Sequence, residues 1–314
     1  MAGYLITGGG GFIGSNITRY LVERGEKVRI LDNFSTGKRE NLAGLEGKIE
    51  LVEGDIRDVF TVMRSLEGID YILHQAALPS VPRSVADPLT TNNVNLIGTL
   101  NLLEAAKDFP IKRLVIASSS SVYGDTDSLP KKESLTPAPL SPYAASKLAV
   151  EYYAKVFHNV YGVESVILRY FNIFGPNQDP TSQYSAVVPK FITSILQDKP
   201  VTIFGDGEQS RDFTFVDNVV SANILAAKAD SISGEVINIA SGVETTVNEL
   251  IETIETIVGK KAKRVYLAER AGDVKHSLAD ISKAKKLLGY SVTTDLKRGL
   301  KKSIEFFKRA DREV

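Results

Sequence analysis

The segment SPYAASK, residues 141–147, carries a tyrosine and a lysine four positions apart. The apolar spacing of residues 142–161 predicts a helix, and positions i and i+4 of a helix share one face, so Tyr143 and Lys147 lie together. Only about 0.1% of a free tyrosine is phenolate at pH 7, and a neighbouring ammonium raises that fraction. The pair is therefore a candidate base for proton transfer, although the same spacing occurs by chance on many helices.

A run of four serines lies in IASSSSVYGD, residues 116–125, at the end of a predicted buried strand. The run offers hydroxyls, with no acid or histidine among them. Strand-end hydroxyls often hydrogen-bond to nearby backbone groups, and we interpret Ser118, Ser120 and Ser121 in this way. The run alone does not say which serine takes part in chemistry.

A glycine-rich loop, TGGGGFIG, joins the first predicted strand to the first predicted helix and places Gly8, Gly11 and Gly14 at three-residue spacing. Such glycines allow a tight turn, close approach of backbone N–H groups to a pyrophosphate, and close packing of helix on strand. Asp32 ends the second predicted strand, where a carboxylate accepts ribose hydroxyls. A carboxylate there would repel a 2′-phosphate, so NAD is favoured over NADP, with Lys38 and Arg39 the nearest cations.

The elements that must hold these residues follow from the apolar pattern, which alternates short apolar runs with helical spacing in the first half of the chain. The predicted strands are 4–7, 27–31, 49–53, 71–74, 113–117 and 165–169, each apolar enough for a parallel sheet. The predicted helices are 13–24, 59–66, 92–109 and 142–161. This alternation predicts an α/β fold with a doubly wound parallel Rossmann sheet.

A second, smaller α/β domain is predicted after residue 172, where turn formers become frequent. Residues 1–172, with about 212–241, are assigned to the NAD-binding Rossmann domain because the segment 212–241 reads as a strand, helix and strand that return to the first sheet. Residues of about 173–211 and 242–314 form the substrate-binding domain, with helices at 247–258 and 281–288. The basic tail 297–312 reads as a solvated helix face.

Composition narrows the class of function. The 314 residues contain 38 Lys and Arg against 38 Asp and Glu, so the charge favours a small ligand over nucleic acid or an anionic membrane. There is no cysteine, which excludes disulfides and thiolate metal sites. His74, His158 and His276 are isolated, so no metal site is predicted, and His74 is interpreted as a packed structural residue. With no leader-like segment and no apolar run of about 18 residues, we expect a soluble cytoplasmic protein.

Taken together, these motifs resemble the extended short-chain dehydrogenase/reductase family that acts on nucleotide sugars. The resemblance covers essentially the whole chain through TGGGGFIG, LDNFSTGK, GDIRD, HQAA, NNVNLIGT, SSSSVYGD, SPYAASK, RYFNIFGP, FGDGEQSRDF and RAGDVKHS. Within the family the sequence is most similar to the UDP-hexose 4-epimerases, in particular those acting on UDP-N-acetylhexosamines.

The resemblance identifies the working serine as Ser119, which stands four residues before Tyr123. Related 4,6-dehydratases place an Asp-Glu pair directly after this hydroxyl, and related decarboxylases place a Glu there. Here the positions are Ser120 and Ser121, so the site lacks an acid and a base for eliminating water. What remains is oxidation and reduction at C4, which amounts to epimerisation.

The resemblance also implies the reaction sequence. Tyr143 takes the proton from the sugar O4 while the C4 hydride passes to NAD, Ser119 bridges O4 and Tyr143, and Lys147 holds the nicotinamide ribose and lowers the Tyr143 pKa. The 4-keto sugar then rotates in the site and receives the same hydride on its other face. NAD is regenerated in each turnover and is expected to stay bound.

The resemblance assigns ligand contacts to matching positions. The cofactor-binding residues it implies are Gly8, Gly11, Phe12, Ile13, Gly14, Asp32, Asn33, Ser35, Thr36, Gly37, Asp55, Ile56, Gln75, Ala76, Ala77, Asn95, Ala117, Tyr143, Lys147 and Tyr170. The substrate-binding residues it implies are Ser80, Ser119, Asn172, Gln178, Ala186, Val187, Lys190, Thr202, Phe204, Arg211, Arg270, Asp273 and Ser277. Of these, Arg211 and Arg270 are expected at the pyrophosphate, because a guanidinium is bidentate and always charged.

The preferred sugar follows from the size of Ser277, which the resemblance places beside the C2 substituent. A tyrosine there closes the pocket to an acetamido group, whereas serine leaves space, and Gln178 and Ala186 also match acetyl-accepting members. We therefore expect UDP-GlcNAc and UDP-GalNAc as substrates, with residual activity on UDP-glucose and UDP-galactose. The alternatives are a UDP-glucuronate or UDP-pentose 4-epimerase and a non-enzymatic NAD-binding regulatory protein.

A homodimer is expected from the predicted helices 92–109 and 142–161, which family members pair across a two-fold axis. Both helices carry more apolar residues than one sheet face needs. The residues on which this expectation rests are Leu96, Leu100, Leu103, Val150, Tyr153 and Val156.

Overall fold

The computed structural model describes residues 1–180, 187–269 and 274–310, which fold around one large parallel sheet. The strands are β1 (Gly3–Thr7), β2 (Lys27–Asp32), β3 (Glu50–Glu53), β4 (Tyr71–His74), β5 (Arg113–Ser119), β6 (Ser165–Tyr170), β7 (Ile173–Phe174), β8 (Pro200–Phe204), β9 (Ser210–Arg211), β10 (Thr214–Phe215), β11 (Val236–Ile239), β12 (Thr245–Thr246) and β13 (Lys263–Leu267). Seven of them form the central sheet in the order β11-β6-β5-β4-β1-β2-β3. The predicted doubly wound sheet is confirmed.

The helices cover both faces of this sheet and also make up much of the chain after residue 172. They are α1 (Phe12–Glu23), α2 (Val59–Ser65), α3 (Val81–Ala86), α4 (Pro88–Asn92), α5 (Gly98–Ala106), α6 (Pro142–Tyr161), α7 (Val187–Leu196), α8 (Val216–Lys228), α9 (Val247–Val258), α10 (Ser282–Leu288) and α11 (Leu296–Ala310). No helix in the described part of the chain is long and apolar enough to cross a membrane.

Strand alternation divides the core into two layers. Tyr4 and Ile6 of β1 belong to the cluster on one face of the sheet, whereas Leu5 belongs to the cluster on the other. This is the period of two expected for a strand that is covered on both sides. The edge strand β3 departs from the predicted fully apolar pattern, since Leu51 is 41% exposed at the border of the sheet.

The parallel register brings several strand ends to one edge of the sheet. Thr7 pairs with both Leu31 and His74, and Ser119 pairs with Tyr170. Because the carboxyl ends of parallel strands meet at the same edge, the loops after these strands converge there, where open α/β sheets bind ligands.

The helix predicted over residues 92–109 is divided in the structure. A wide π turn, Asn93–Ile97, separates α4 from α5. Asn95 lies in this turn and accepts a hydrogen bond from the Leu78 backbone N–H at 2.8 Å. The leucine spacing continues through the turn, so the apolar pattern alone did not reveal the extra residue.

The two helices expected to form a dimer contribute less free apolar surface than predicted. Leu103 of α5 and Val150 of α6 are buried in the core, and Leu96 and Leu100 are partly buried against it. Tyr153 and Val156 of α6 are exposed, at 43% and 49%. The exposed apolar face therefore lies mainly on α6, while α5 faces the sheet.

The part of the chain after residue 172 contributes both to the central sheet and to smaller strand pairs. β11 joins the central sheet beside β6, and α8 packs against α1. The strand of residues 214–215 does not join that sheet as expected but forms the parallel pair β10–β7, because β11 already occupies the position beside β6. The remaining small pairs are β9–β12 and β8–β13, and α7, α9 and α11 pack together. The domain boundaries remain a prediction.

Candidate active site

The glycine loop forms a cradle at the start of α1. Gly8 adopts a φ of +71°, and a Cβ on Gly14 would lie 2.2 Å from the Gly8 carbonyl oxygen, so only glycine lets helix and strand pack this closely. α1 begins after Gly11, and no described side chain caps its first turn. The first N–H groups and the positive end of the helix dipole therefore remain available to a phosphate.

Asp32 connects this loop to the one that follows β2. Its Oδ2 accepts a hydrogen bond from the Gly10 N–H and its Oδ1 accepts one from the Phe34 N–H, both at 2.8 Å. A carboxylate oxygen has two lone pairs, so both oxygens can also accept ribose hydroxyls. Lys38 and Arg39 are the cations that a 2′-phosphate of NADP would need. Each already has a carboxylate partner: Lys38 pairs with Asp179 at 2.9 Å, and Arg39 pairs with Glu53.

The adenine end of the cradle is held by Asp55, directly after β3. The carboxylate accepts hydrogen bonds from the Arg57 guanidinium at 2.7 and 3.0 Å and from the Asn33 amide at 2.8 Å. The Arg57 hydrogen bond is the main reason that the Asp55 pKa falls to about 2. Asp55 is thus ionised at neutral pH and fixes Asn33 beside the cavity.

Tyr143 and Lys147 stand on the first turns of α6, next to the end of β5. The helix starts where predicted because Ser141 caps it, accepting the Ala144 N–H at 3.2 Å, and Pro142 occupies its first position. The Lys147 ammonium donates to the Ala117 carbonyl at 2.8 Å. This bond fixes the lysine against β5, one helical turn from Tyr143.

Burial dominates the electrostatics of this pair. It raises the pKa of Tyr143, and the hydrogen bond from Ser119 opposes that rise. It also lowers the pKa of Lys147 to about 8, against the effect of Glu151. The sequence led us to expect a Tyr143 pKa lowered by Lys147; in the structure, desolvation is the larger influence and raises the Tyr143 pKa.

The four serines divide their roles in a way the sequence did not indicate. Ser121 donates its hydroxyl to Ser119 Oγ at 2.9 Å, and its backbone N–H approaches the same atom at 3.2 Å. Ser119 therefore accepts two hydrogen bonds and has its own proton to donate to Tyr143. Ser118 donates to the Glu151 carboxylate at 2.5 Å. The interpretation of Ser118 and Ser121 as partners of backbone groups is wrong.

Three side chains close the opposite wall of the cavity around Tyr170 at the end of β6. The Asn223 amide donates to the Tyr170 hydroxyl at 2.8 Å and Tyr170 donates to Gln75 Oε1 at 3.3 Å. Gln75 returns a hydrogen bond to Asn223 Oδ1 at 3.0 Å. Burial raises the pKa of Tyr170 to about 12, so it remains a neutral wall residue.

His74 is a structural residue in the described fold. Its two ring nitrogens hydrogen-bond to Thr7 at 2.6 Å and Thr99 at 2.8 Å, and burial lowers its pKa to about 3. It is therefore neutral at physiological pH. No group of three or more His, Asp or Glu side chains within residues 1–180, 187–269 and 274–310 is arranged to hold a metal.

A cavity of about 450 Å³ gathers nearly all the predicted cofactor residues. Its wall contains Gly8, Gly11, Phe12, Ile13, Gly14, Asp32, Asn33, Ser35, Thr36, Gly37, Asp55, Ile56, Gln75, Ala76, Ala77, Ala117, Tyr143, Lys147 and Tyr170, together with Ser119, Asn172 and Gln178. The structure does not bring Asn95 to this wall. Asn95 instead binds the Leu78 backbone and Ser146, and so supports the loop beneath the cavity.

A second cavity, of about 730 Å³, is lined by residues between positions 172 and 247. The predicted substrate residues in its wall are Asn172, Val187, Lys190, Thr202, Phe204 and Arg211. Asn172 and Ile173 line both cavities, so the two adjoin at this point. A molecule with a nucleotide in the second cavity would present its other end to Ser119 and Tyr143.

The remaining predicted substrate residues lie elsewhere. Ser80 caps α3 by accepting the Arg83 N–H at 3.1 Å, and Ser277 is buried with its N–H donated to the Ser210 carbonyl at 3.2 Å. Ala186, Arg270 and Asp273 lie outside the described residues.

Comparison with known proteins shows the class. Residues 4–240 match the NAD dependent epimerase/dehydratase family, and the chain belongs to this family. NAD is accordingly its cofactor, and the glycine cradle, the first turn of α1 and Asp32 fit a dinucleotide. The chain is an enzyme of the extended short-chain dehydrogenase/reductase type.

The relatives share a reaction at C4 and differ in the sugar. The chain is 39% identical over 310 residues to a putative UDP-glucose 4-epimerase of Methanocaldococcus jannaschii, covering 98% of this chain and 99% of that protein. It is 44% identical to a UDP-N-acetylglucosamine 4-epimerase of Methanobrevibacter ruminantium M1, solved with UDP-N-acetylmuramic acid (TM-score 0.94, 98% of this chain, 99% of that chain). It is 36% identical to a UDP-glucuronic acid 4-epimerase of Bacillus cereus, solved with UDP-glucuronic acid and NAD (TM-score 0.91, 98% and 99%).

Proposed function

We propose that this chain, an NAD-dependent UDP-sugar 4-epimerase, interconverts UDP-GlcNAc and UDP-GalNAc, with side activity on UDP-glucose and UDP-galactose. The observation that carries the reaction type is the presence of Ser119, Tyr143 and Lys147 in one cavity wall, with the Ser121 hydroxyl donating to Ser119 and no carboxylate at positions 120 and 121. Without that acid and base the site supports oxidation and reduction at C4 but not elimination of water.

The proposed mechanism assigns each polar group a role. Tyr143 removes the proton from the sugar O4, and Ser119, which has a single proton, donates it in a hydrogen bond to the Tyr143 oxygen before the transfer and to O4 as negative charge develops there. Lys147, held by the Ala117 carbonyl, supplies positive charge next to the forming phenol–alkoxide pair. The glycine loop and Asp32 would hold NAD, which would supply a hydride acceptor and donor for C4 of the sugar. Hydride return to the opposite face of the 4-keto sugar would invert C4.

The preference for an acetamido sugar is supported by Gln178, at the wall of the cofactor cavity. Its Nε2 donates to the Ile173 carbonyl at 3.2 Å, which fixes the orientation of the amide. Its Oε1 is buried and has no hydrogen-bond partner within the described residues. A buried acceptor without a donor is costly, and the N–H of a substrate acetamido group would satisfy it.

The relative that is 44% identical acts on UDP-N-acetylglucosamine, and this supports the same choice. The UDP-glucuronic acid 4-epimerase at 36% identity makes an epimerase for uronates the second candidate. Both candidates use the same Ser119, Tyr143 and Lys147. They differ in which group stands at C2 or C6 of the sugar.

The deciding experiment is to incubate purified protein, without added NAD, with UDP-GlcNAc, UDP-glucose and UDP-glucuronate in separate reactions. Chromatographic separation of the epimers is expected to show the highest kcat/KM for UDP-GlcNAc, and Tyr143→Phe is expected to abolish all conversion. Faster conversion of UDP-glucuronate would establish the second candidate. No conversion of any UDP sugar would contradict the proposed reaction.

We also propose that the chain forms a homodimer through α3, α4 and α6. Helices α3 and α4 pack against α6, and together they expose Val85 at 65%, Leu89 at 77%, Tyr152 at 59% and Val160 at 64%. A monomer rarely leaves so many large apolar side chains together in water. The cytoplasmic location expected from the sequence also remains a proposal.

Light scattering at micromolar concentration is expected to give twice the chain mass of 34.2 kDa. Val156→Glu places a charge on this face and is expected to yield a monomer. Val265→Glu, at an exposed valine of β13, is the matched control and is expected to remain a dimer. A monomeric unaltered protein would remove the proposal.

A further inference from the structure

A buried ionic cluster lies directly behind the lysine of the candidate active site. Glu151 stands one helical turn after Lys147 on α6, and its side chain and that of Arg169 on β6 are each only 4% exposed. The Arg169 guanidinium binds the carboxylate through two hydrogen bonds, Nε to Oε1 at 2.9 Å and NH2 to Oε2 at 2.6 Å. Ser118 of β5 donates to Oε1 at 2.5 Å. Three elements thus converge on one carboxylate.

Stability alone is a weak reason for such a cluster. Moving two charges out of water costs about as much as their attraction returns, and apolar side chains of similar volume often serve a core equally well. Arg169 NH1, moreover, is buried without a hydrogen-bond partner among the described residues. A role connected with the neighbouring lysine accounts for the cluster better than packing does.

The surroundings of Lys147 make this carboxylate electrostatically important. Tyr143 and Tyr170 share the cavity wall with Lys147, His74 of β4 and Glu151 of α6 interact with it electrostatically, and Arg169 of β6 pairs with Glu151. His74 and Tyr170 are neutral at physiological pH, and Arg169 is a cation. Glu151 is the anion of this set. It raises the Lys147 pKa, which burial has lowered to about 8.

We propose that Glu151 is a positioning residue that keeps the Lys147 ammonium charged during the reaction, and that Arg169 and Ser118 hold the Glu151 carboxylate in place. The inference rests on the proposed role of Lys147. A cationic nicotinamide ring near Lys147 would disfavour the ammonium further, so the counter-charge matters most when cofactor is bound. The two hydrogen bonds from Arg169 hold the Glu151 carboxylate in one orientation.

The first test is the pH dependence of kcat for the NAD-containing enzyme. Activity is expected to fall at alkaline pH as Lys147 loses its proton, and in Glu151→Gln this limb moves to lower pH by about one unit, since an opposite charge at this range shifts a pKa by one unit or more. Glu151→Asp retains the charge and is expected to restore most of the limb. A uniform loss of activity at every pH, with no shift of the limb, would show that Glu151 is merely structural and overturn the proposal.

The chain offers a matched control in Glu255 of α9, another buried carboxylate, which pairs with Lys261 at 2.8 Å and with Arg264 at 3.3 Å and does not act on the Lys147 pKa. Glu255→Gln is expected to lower the melting temperature without moving the alkaline limb. If Glu151→Gln does not fold, Glu151→Gln/Arg169→Gln removes both charges and leaves no unpaired cation. A shift of the limb in the same direction but of smaller size is expected in it, because removal of the Arg169 cation partly offsets the loss of the carboxylate.

The second test needs no turnover and therefore separates this inference from the proposed function. Protein labelled with ¹³C at the lysine ε carbon is titrated by NMR, and the Lys147 signal is assigned with Lys147→Met. The midpoint is expected to fall by about one pH unit in Glu151→Gln. An unchanged midpoint would overturn the inference even in an active epimerase. A shifted midpoint in a protein that converts no UDP sugar would leave the inference intact and remove the proposed function.

Discussion

Replacing Ser121 by alanine tests the hydrogen-bond order of the candidate site. The substitution removes the hydroxyl that donates to Ser119 Oγ at 2.9 Å but keeps the backbone N–H at 3.2 Å, so Ser119 loses one of two donors. A neutral hydrogen bond contributes about 0.5–1.5 kcal/mol, which corresponds to a roughly 2- to 13-fold change in rate. We expect kcat to fall by this factor with little change in KM, because Ser119 acts on the reacting O4.

The assay is the initial rate of conversion of UDP-GlcNAc, with Ser119→Ala and Ser121→Thr measured alongside. Ser119→Ala removes the group that contacts O4 and is expected to cost about 100-fold or more. Ser121→Thr keeps the hydroxyl and is expected to stay near the unaltered rate. Full activity in Ser121→Ala would show that Ser119 needs no second donor. A loss as large as that of Ser119→Ala would mean that Ser121 itself reaches the substrate.

Three further predictions concern the cofactor and the sugar. NAD is expected to remain bound through purification, because the hydride returns in each turnover; active protein whose denatured supernatant contains no dinucleotide would contradict this. Gly14→Ala places a Cβ 2.2 Å from the Gly8 carbonyl and is expected to lower NAD content and stability by about 3 kcal/mol, whereas Gly259→Ala, in open space, keeps its NAD. Ser277 is buried and lines neither cavity, so Ser277→Tyr tests the sequence-based prediction: it is expected to reduce kcat/KM for UDP-GlcNAc more than for UDP-glucose, and unchanged turnover of UDP-GlcNAc would exclude Ser277 from the substrate pocket.

The sequence predicted correctly those helices whose first residues are marked by nearby capping residues. α6 and α9 have the predicted limits because their ends are encoded nearby: Ser141 caps α6, and Thr246 and Glu249 form a reciprocal capping box at the start of α9. The prediction of one continuous helix over 92–109 was wrong for the opposite reason. Its π turn depends on the bond between Asn95 and the Leu78 backbone, which no local pattern contains.

The same distinction holds in the site. The glycine loop, Asp32, Tyr143 and Lys147 have fixed spacings along the chain, so the sequence identifies them. Glu151 and Arg169 are conspicuous only after folding, because their contact joins a helix to the following strand and one buried glutamate on a helix resembles any solvated one in sequence. The sequence shows Ser121, but its hydrogen bond to Ser119 depends on the turn that follows β5.

The geometry of the serine run explains how a half-buried tyrosine in the cavity wall can serve as a base. Consecutive residues of β5 point to opposite faces, so Ser118 turns toward Glu151 while Ser119 turns toward the cavity. The 3₁₀ turn Ser120–Tyr123 then brings Ser121 back to Ser119. Desolvation disfavours the charged form of both Tyr143 and Lys147. A carboxylate at position 120 or 121, as in the related dehydratases, would add like charge beside the phenolate. The Ser121 hydroxyl instead orients Ser119, and neither hydroxyl opposes the ionisation of Tyr143, so the neutrality of both positions favours the base as well as the choice of reaction.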